Sequence, residues 1–266
     1  MLRGTKEKDI RAGKNSRKKR LRRKRRNYLL AGVILLVAVF SFAKLYHGRT
    51  IMTSAGPLPK KDYPASMIEF MEKYPQATQF VLDYPKKKNL HRPIDISGEV
   101  RRGEIPLFMQ WDERWGYETY GDDFLGVNGC GPTTLSMVQC GLTGDTYWNP
   151  YEVARMADEQ GYYVAGVGSS WDLMTSGARA LGLNVHNVEC NADAIINALQ
   201  SGMILICSMG PGDFTYTGHF VALTGTDAAG NITVRDCNSR ENSARTWTIE
   251  ELLPQIVGLW GYSYQA

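Results

Sequence analysis

A strongly basic segment followed at once by an apolar segment limits how this 266-residue chain can be organised. Residues 17–26 read RKKRLRRKRR, and the 17 residues from 27 to 43 carry no charge. An apolar helix of about 17–25 residues spans a bilayer, and flanking Lys and Arg keep their end in the cytoplasm. We therefore expect a basic cytoplasmic tail over residues 1–27 and a single-pass transmembrane signal-anchor over residues 28–46.

A cleaved signal peptide is the alternative interpretation of this segment. Residues 29–40 would form its apolar region, and Ser41-Phe42-Ala43 offers the small residues of a cleavage site. The long basic leader favours the anchor. Under either interpretation the rest of the chain is exported, and it is held at the cell membrane in one case and secreted in the other.

Net charge divides the chain into parts of opposite sign. Residues 1–27 carry +12 and residues 44–103 carry +5. Residues 104–266 contain six Arg, no Lys and 19 acidic residues, for a net charge of −13. The overall +4 therefore describes none of these parts. Because the positive charge lies in a short tail and not on a folded face, it does not indicate nucleic-acid binding.

The composition after the apolar segment predicts a linker, a helical lead-in and one larger domain. Residues 47–62 contain Gly, Pro and Lys without periodicity, which is typical of a linker. Apolar-patterned stretches at 65–74 and 78–84, set off by Tyr-Pro pairs, predict two short helices in a lead-in over 63–103.

Residues 104–266 have the pattern of an α+β domain, because predicted helices come first and predicted antiparallel strands come later. Such an order is not that of a doubly wound parallel sheet. The expected helices are 132–140, 152–160, 170–181 and 192–201, and the expected strands are 203–208, 219–224 and 232–236.

One of the five cysteines has the setting of a nucleophile. Cys130 lies in Asn128-Gly-Cys-Gly-Pro-Thr-Thr134, just ahead of a helix that Pro132 is predicted to open. A thiol at a helix N-terminus has a lowered pKa, which favours the thiolate. The cysteine count is odd and there is no C-x-x-C pair, so neither a zinc site nor a disulfide framework is indicated, and no metal or cofactor is expected.

A thiolate nucleophile needs a base, and the base needs a partner that orients it. His219 begins a predicted strand directly after Gly218, at the mouth of a glycine-bearing loop. The next predicted strand ends near Asp236 and Asn238, either of which could accept a hydrogen bond from the imidazole. Cys, then His, then Asp or Asn is the chain order of papain-type peptidases.

Four ordered blocks resemble the bacteriocin-processing (double-glycine) peptidase-like branch of the papain-fold cysteine peptidases. The resemblance implies a papain-like fold, with the nucleophile helix in an N-terminal helical part and an antiparallel sheet after it. The blocks are Gln110-Trp-Asp-Glu-Arg-Trp-Gly-Tyr117, Gly129-Cys-Gly-Pro-Thr133, Gly218-His-Phe-Val-Ala-Leu-Thr-Gly225 and the strand end at Asp236.

The resemblance also implies a role for each matching residue. Cys130 would be the nucleophile and His219 the base, with Asp236 as its orienter. Gln110 would supply the side-chain donor of the oxyanion hole, beside the backbone N–H of the nucleophile. The family commonly has Pro after its Asp, where this chain has Cys237, so Asn238 stays open as the alternative orienter.

The implied activity is hydrolysis of peptide bonds in an exported peptide or protein substrate. A cell-wall peptidoglycan amidase or endopeptidase is one alternative, because such enzymes share the Cys-His arrangement, but anionic wall polymers would repel a domain of −13 charge. A binding module that has kept the fold and lost turnover is the alternative from another class. The sequence does not predict an oligomeric state.

Aromatic and acidic residues crowd the stretch before Cys130. The aromatic residues either belong to the core or line the cleft of the nucleophile. The acidic residues form either a solvated face or a negative field that prefers basic or uncharged substrate segments. The aromatic residues are Trp111, Trp115, Tyr117 and Tyr120. The acidic residues are Asp112, Glu113, Glu118, Asp122 and Asp123.

Overall fold

The computed structural model describes residues 50–53, 56–91 and 93–265, with positions 32, 35–37, 39, 41, 44 and 48 before them. The chain divides into two compact units, Met1–Asp62 and Tyr63–Ala266. Within the described part of the chain, no helix is both long and apolar enough to cross a membrane. The expected tail, and most of the expected anchor, lie outside the described residues.

The first unit contains a β-hairpin where the sequence suggested only a linker. Strand β1 (Thr50–Thr53) pairs antiparallel with β2 (Gly56–Pro59), and a 3₁₀ turn follows at Lys60–Asp62. Strands of four residues are too short to show a periodic pattern, so composition alone predicted a linker over 47–62. The hairpin adds local structure to this stretch, and the linker over 47–62 stays a prediction.

The helices of the second unit lie mostly ahead of its main sheet. They are α1 (Ala65–Lys73), α2 (Thr78–Lys87), α3 (Leu125–Asn128), α4 (Cys130–Thr143), α5 (Pro150–Glu159), α6 (Ser176–Ala180), α7 (Ala192–Gln200), α8 (Arg240–Ala244) and α9 (Ile249–Leu252). Three 3₁₀ turns join them, at Pro75–Ala77, Trp171–Met174 and Leu253–Gln255.

The main sheet is antiparallel and has six strands, in the order β11-β10-β9-β8-β12-β7. The α+β prediction is thereby confirmed, and the arrangement is compatible with a papain-like fold. The strands are β7 (Asn184–His186), β8 (Ile204–Met209), β9 (His219–Thr226), β10 (Ile232–Asp236), β11 (Thr246–Trp247) and β12 (Ile256–Ser263). Two small hairpins pair β3 (Thr119–Tyr120) with β4 (Asp123–Phe124), and β5 (Tyr163–Val164) with β6 (Gly168–Ser169).

Two of the predicted helices differ from the structure by more than small shifts at their ends. Residues 170–181 were expected to form one helix, but they form a 3₁₀ turn and the short α6, separated at Thr175. Helix α4 was expected to stop at Gly141, yet it continues to Thr143. It ends at Gly144, whose φ of 79° is the left-handed conformation that favours glycine.

The sheet is covered on both faces, which is why β8 and β9 read as continuous apolar runs. On one face Ile206 and Ala222 belong to the cluster that holds Leu135 and Val138 of α4. On the other face Leu205, Val221 and Leu223 pack with Ile195 and Leu199 of α7. A hydrogen bond of 3.1 Å from Thr134 Oγ1 to the Phe220 carbonyl ties α4 to β9 near its first residue. The N-terminus of α4 is therefore held beside His219.

The lead-in helices pack against the domain within the second unit. The ring of Phe80, on α2, stacks on Tyr117 with centroids 4.4 Å apart, and the Tyr117 hydroxyl donates to the Phe80 carbonyl at 2.7 Å. Gly116 and Gly126 leave room for this ring, because a Cβ at either position would lie 2.7 Å from a Phe80 ring atom. The lead-in is thus built into the fold, and the sequence had left its packing open.

Candidate active site

Cys130 is the first residue of α4, a helix of 14 residues. The side chain of His219 and the backbone N–H groups of Phe220 and Gly131 lie near its sulfur and act against burial to lower the pKa of the thiol. Unpaired N–H groups at a helix N-terminus favour a negative charge there. The expectation of a thiol at the start of a helix is confirmed, with the helix beginning at Cys130 itself and not at Pro132.

His219 and Asp236 form a hydrogen-bonded pair at the edge of the sheet. Strands β9 and β10 are paired so that Asp236 lies opposite Val221, and His219 lies two residues before Val221 on the same face. The Nε2 atom of His219 donates to Asp236 Oδ1 at 2.7 Å. Their exposed fractions are only 3% and 1%. Because Nε2 serves Asp236, the nitrogen left for Cys130 is Nδ1.

The Asp236 carboxylate is oriented by two further donors. The backbone N–H of Asn238 donates to Oδ1 at 2.8 Å, and Asn242 Nδ2 donates to Oδ2 at 2.9 Å. The Asp236 N–H in turn donates to Ser243 Oγ at 2.9 Å. Sequence reasoning missed Asn242 and Ser243, which lie on the short helix α8 and have no motif of their own.

The pKa values of the thiol and the imidazole are displaced in opposite directions. Burial by itself would lower the pKa of His219, but the charge and hydrogen bond of Asp236 together with the neighbouring sulfurs of Cys237 and Cys130 outweigh it, and the pKa lies well above its usual value. Burial would raise the pKa of Cys130, yet the hydrogen bond to His219 and its charge hold that pKa below its usual value. Both shifts favour a thiolate paired with an imidazolium.

Asn238, the alternative orienter, does not contact the imidazole through its side chain. Its backbone N–H is bonded to Asp236, while its side-chain Oδ1 is buried and has no hydrogen-bond partner in the described part of the chain. The structure therefore brings Asp236, and not Asn238, to His219.

Gln110 is fully buried in the wall of the same cleft as Cys130. Its Nε2 donates to the carbonyls of Gly126 and Val127 at 3.0 and 3.1 Å, and its Oε1 accepts from the Cys237 thiol at 3.5 Å. Both amide hydrogens are thus used within the protein. A role as oxyanion donor requires one of these bonds to be exchanged for the substrate oxygen.

Cys237, which the sequence left among the structural cysteines, lies beside the pair. Thr134 Oγ1 donates to its sulfur at 3.7 Å, and burial raises its pKa above the usual value, so it is a neutral thiol at neutral pH. Together with His219 and Asp236 it forms a group whose ligand atoms lie within 4.8 Å of one another, as a metal site would need. The direct 2.7 Å bond between the imidazole and the carboxylate fits a hydrogen bond, because the Nε2–H of His219 points at a lone pair of the Asp236 carboxylate and a ligating nitrogen would have no hydrogen there.

The site opens into a cleft of about 400 Å³. The small hairpins contribute Asp123, Tyr163 and Gly168 to its wall, and Thr217 and Gly218 contribute the approach to His219. Helix α1 and the residue after it contribute a third part, which sequence reasoning did not assign to the site. These lead-in residues are Ser66, Glu69, Phe70, Lys73 and Tyr74.

The aromatic and acidic residues before Cys130 lie in different surroundings. Trp115, Tyr117 and Tyr120 are buried in the core, and Trp111 packs with the lead-in helices. Three of the acids are paired with cations or with histidine: Asp112 with Arg114, Glu113 with Lys87, and Glu118 with His91. Asp122 and Asp123 line the cleft, and no ion pair involves either of them among the described residues. Of the acidic residues in this stretch, only these two bring carboxylates to the cleft, where Glu69 of α1 adds a third and Lys73 a positive charge.

The model of the Peptidase_C39 like family matches residues 103–264, a stretch that includes Gln110, Cys130, His219 and Asp236. Among curated proteins, no match to the chain was found.

Proposed function

Because the chain belongs to the Peptidase_C39 like family, we propose that it is a cysteine peptidase that hydrolyses peptide bonds by a Cys-His-Asp mechanism. The observation that carries the proposal is the buried His219–Asp236 hydrogen bond beside the Cys130 thiol at the start of α4. A nucleophile, a base and an orienter of that base stand within hydrogen-bond reach of one another, in the order that acyl transfer requires.

The first step is attack of the Cys130 thiolate on the carbonyl carbon of a peptide bond. The lowered pKa supplies the thiolate without a separate deprotonation, because His219 already holds the proton. A new C–S bond forms, and the carbonyl electron pair moves onto oxygen. Asp236 keeps the imidazolium in place and stabilises its charge.

The oxyanion needs donors aimed at the position where its charge develops. The backbone N–H of Cys130 is the first candidate, since it belongs to the N-terminal turn of α4 and has no partner within the helix. Gln110 is the second, after exchange of its bond to Gly126 or Val127. Removal of one such donor costs about 3–4 kcal/mol in other acyl-transfer enzymes.

Collapse of this intermediate breaks the C–N bond and leaves a thioester on Cys130. The proton on His219 Nδ1 passes to the departing amine. The same nitrogen then takes a proton from water, which attacks the thioester and releases the second product. The thiolate and imidazolium are regenerated together, because the returning proton stays on His219.

We place this peptidase outside the cytoplasm, held by a single N-terminal anchor. The support is the basic run at 17–26 followed by 17 uncharged residues. The proposal is tested by the mass of the mature protein in a membrane fraction and by its accessibility to added protease in spheroplasts. A mature protein that begins at Lys44 would replace the anchor with a cleaved signal peptide.

The activity is tested by digestion of an unbiased peptide library with the full-length protein in detergent. Wild type should cleave a defined set of peptides, and Cys130→Ala should cleave none while keeping the wild-type thermal transition. Cys207→Ala is the matched control, because Cys207 is a buried cysteine of β8 on the sheet face opposite α4. Retained cleavage by Cys130→Ala would refute the assignment. Release of muropeptides from purified wall, with no peptide cleavage, would favour the peptidoglycan alternative, and binding without any turnover would favour the binding module.

A further inference from the structure

A second cavity of about 290 Å³ adjoins the catalytic cleft. Its walls come from the turn between α1 and α2 (residues 73–76), the loop before His219 (residues 212–216) and residues between 236 and 242. Three residues line both spaces: Lys73, Tyr74 and Asn238. The two cavities therefore meet at Asn238, two residues after the carboxylate that orients His219.

Asn238 is 6% exposed, yet its Oδ1 has no hydrogen-bond partner in the described part of the chain. A buried polar atom without a partner lowers stability, so such atoms are rare unless something outside the fold satisfies them. The backbone of Asn238 is held firmly by its bond to Asp236, and rotation about χ2 turns the amide without moving that backbone. The amide is thus free to pair with a group that arrives in the cleft.

Large apolar side chains lie exposed along both cavities. Val167, in the turn of the β5–β6 hairpin, lines the cleft and is 77% exposed. Tyr216 lines the second cavity and is 81% exposed. Each of the two connected cavities therefore has one exposed apolar side chain on its wall that a ligand in that cavity would contact. A single amino-acid side chain could not cover both positions, whereas an extended chain could.

We propose that Asn238 is a substrate-positioning residue whose side-chain amide accepts a hydrogen bond from the main chain of an extended polypeptide, which passes Cys130 and continues into the second cavity. The inference rests on the proposed peptidase function and adds a substrate class to it, namely unfolded segments that fill both cavities and not short peptides. A main-chain N–H is the donor that every such substrate supplies, so the contact selects for length and extension and not for sequence.

The test uses an internally quenched octapeptide chosen from the peptides that wild type cleaves, and versions of it shortened from either end. Asn238→Ala should lower kcat/KM for the octapeptide by about 3- to 10-fold, the value of one neutral hydrogen bond, and the loss should appear in KM more than in kcat. The difference in kcat/KM between wild type and Asn238→Ala should be smaller for shortened peptides that lack the residues on one side of the cleaved bond, the side that contacts Asn238. Asn197→Ala, an exposed asparagine of α7 outside both cavities, is the control and should behave as wild type.

Ester replacement of each main-chain amide of the octapeptide identifies the donor. At one position, the ester should lower kcat/KM of the wild-type protein by about 3- to 10-fold. The same ester should not lower kcat/KM of Asn238→Ala, because that variant has already lost the hydrogen bond. If Asn238→Ala does not fold, Asn238→Ser, whose side chain is too short to reach, takes its place. Equal losses at every peptide length, or no ester position that depends on Asn238, would overturn this inference while leaving the peptidase intact. Failure of wild type to cleave any peptide, or cleavage by Cys130→Ala, would overturn the proposed function and the inference with it.

Discussion

His219 Nε2 donates a hydrogen bond of 2.7 Å to Asp236 Oδ1 across the adjoining ends of two paired strands, β9 and β10. The bond leaves Nδ1 for the thiol at the start of α4. Three separate elements thereby place one residue each at a single point, and none of the three positions depends on a loop. Rigid strands and a helix terminus hold catalytic groups more precisely than loops do.

Replacement of Asp236 should damage the rate, and replacement of Asn238 should damage binding. Asp236→Ala leaves the imidazole without its orienter and with a buried N–H, so kcat should fall by about 10²–10⁴. Asn238→Ala should change kcat much less than KM. Steady-state kinetics with one peptide decide between the roles. A larger loss of kcat in the Asn238 variant would transfer the orienting role to that residue.

The rate of Cys130 alkylation by iodoacetamide should stay high at pH values below the ordinary pKa of cysteine, about 8.5. The reason is that the reactive thiolate persists down to the lowered pKa of Cys130. In His219→Ala the hydrogen bond and the charge are gone but the burial remains, so the profile should move to higher pH. Mass spectrometry of the labelled peptide follows the site. An unchanged pH profile in His219→Ala would show that His219 does not lower the pKa of Cys130.

The pH dependence of hydrolysis follows from the same two shifts. With rising pH, kcat/KM should increase as the lowered pKa of Cys130 is passed and decrease as the raised pKa of His219 is passed. The active form therefore begins below the ordinary cysteine pKa of about 8.5, and its alkaline limit lies above the ordinary histidine pKa of about 6.5. The two apparent values belong to the pair and not to single residues. Loss of activity centred near pH 6.5 on the alkaline side would contradict the ion pair.

Gln110→Ala separates catalysis from structure at that position. If the amide turns to the oxyanion, kcat should fall by about 10²–10³ with a smaller change in KM. The variant should also lose stability, because the carbonyls of Gly126 and Val127 lose their buried donor. A lower melting temperature with unchanged kcat would leave Gln110 a purely structural residue.

Gly126→Ala should loosen the lead-in helices. Its Cβ would lie 2.7 Å from a Phe80 ring atom and 2.9 Å from the Gly116 carbonyl oxygen, so the ring or the backbone must move. Such overpacking costs about 1–3 kcal/mol, which lowers the melting temperature by several degrees in a domain of this size. Gly98→Ala is the matched control, since a Cβ there meets nothing within 4 Å. Equal melting temperatures for the two variants would argue against tight packing of α2.

Asp122 and Asp123, two of the carboxylates that line the cleft, should favour basic substrates. In the double variant Asp122→Asn and Asp123→Asn, the ratio of kcat/KM for a Lys-containing peptide to that for its Glu-containing match should fall by about two- to fivefold, the size expected of partly exposed charge pairs. Glu113→Gln is the control, because Glu113 is paired with Lys87 and does not line the cleft. If wild type and the double variant give the same ratio of kcat/KM for the two peptides, Asp122 and Asp123 do not select substrates by charge.

Local chemistry made Cys130 and His219 recognisable without a structure. A cysteine between glycines ahead of a helix, and a histidine that opens a strand after glycine, are patterns within a few residues of chain, and α4 and β9 begin at these residues. The strand β12 was not recognised, because the glycines in Ile256-Val-Gly-Leu-Trp-Gly-Tyr-Ser interrupt an apolar strand pattern. Its position between β8 and β7 depends on partners that are distant in sequence.

The sequence by itself determined the class of the fold and the residue types that meet in the site, since periodicity and local motifs are properties of short segments. Only the tertiary structure showed that the side chain of Asp236, and not that of Asn238, is hydrogen-bonded to His219. The pairing of β9 with β10 shifts register between Thr233 and Val234, and a one-residue shift changes which side chains share a face. The tertiary structure alone also brought α1 to the cleft and left Asn238 Oδ1 without a partner among the described residues, because both depend on packing between segments that are distant in sequence.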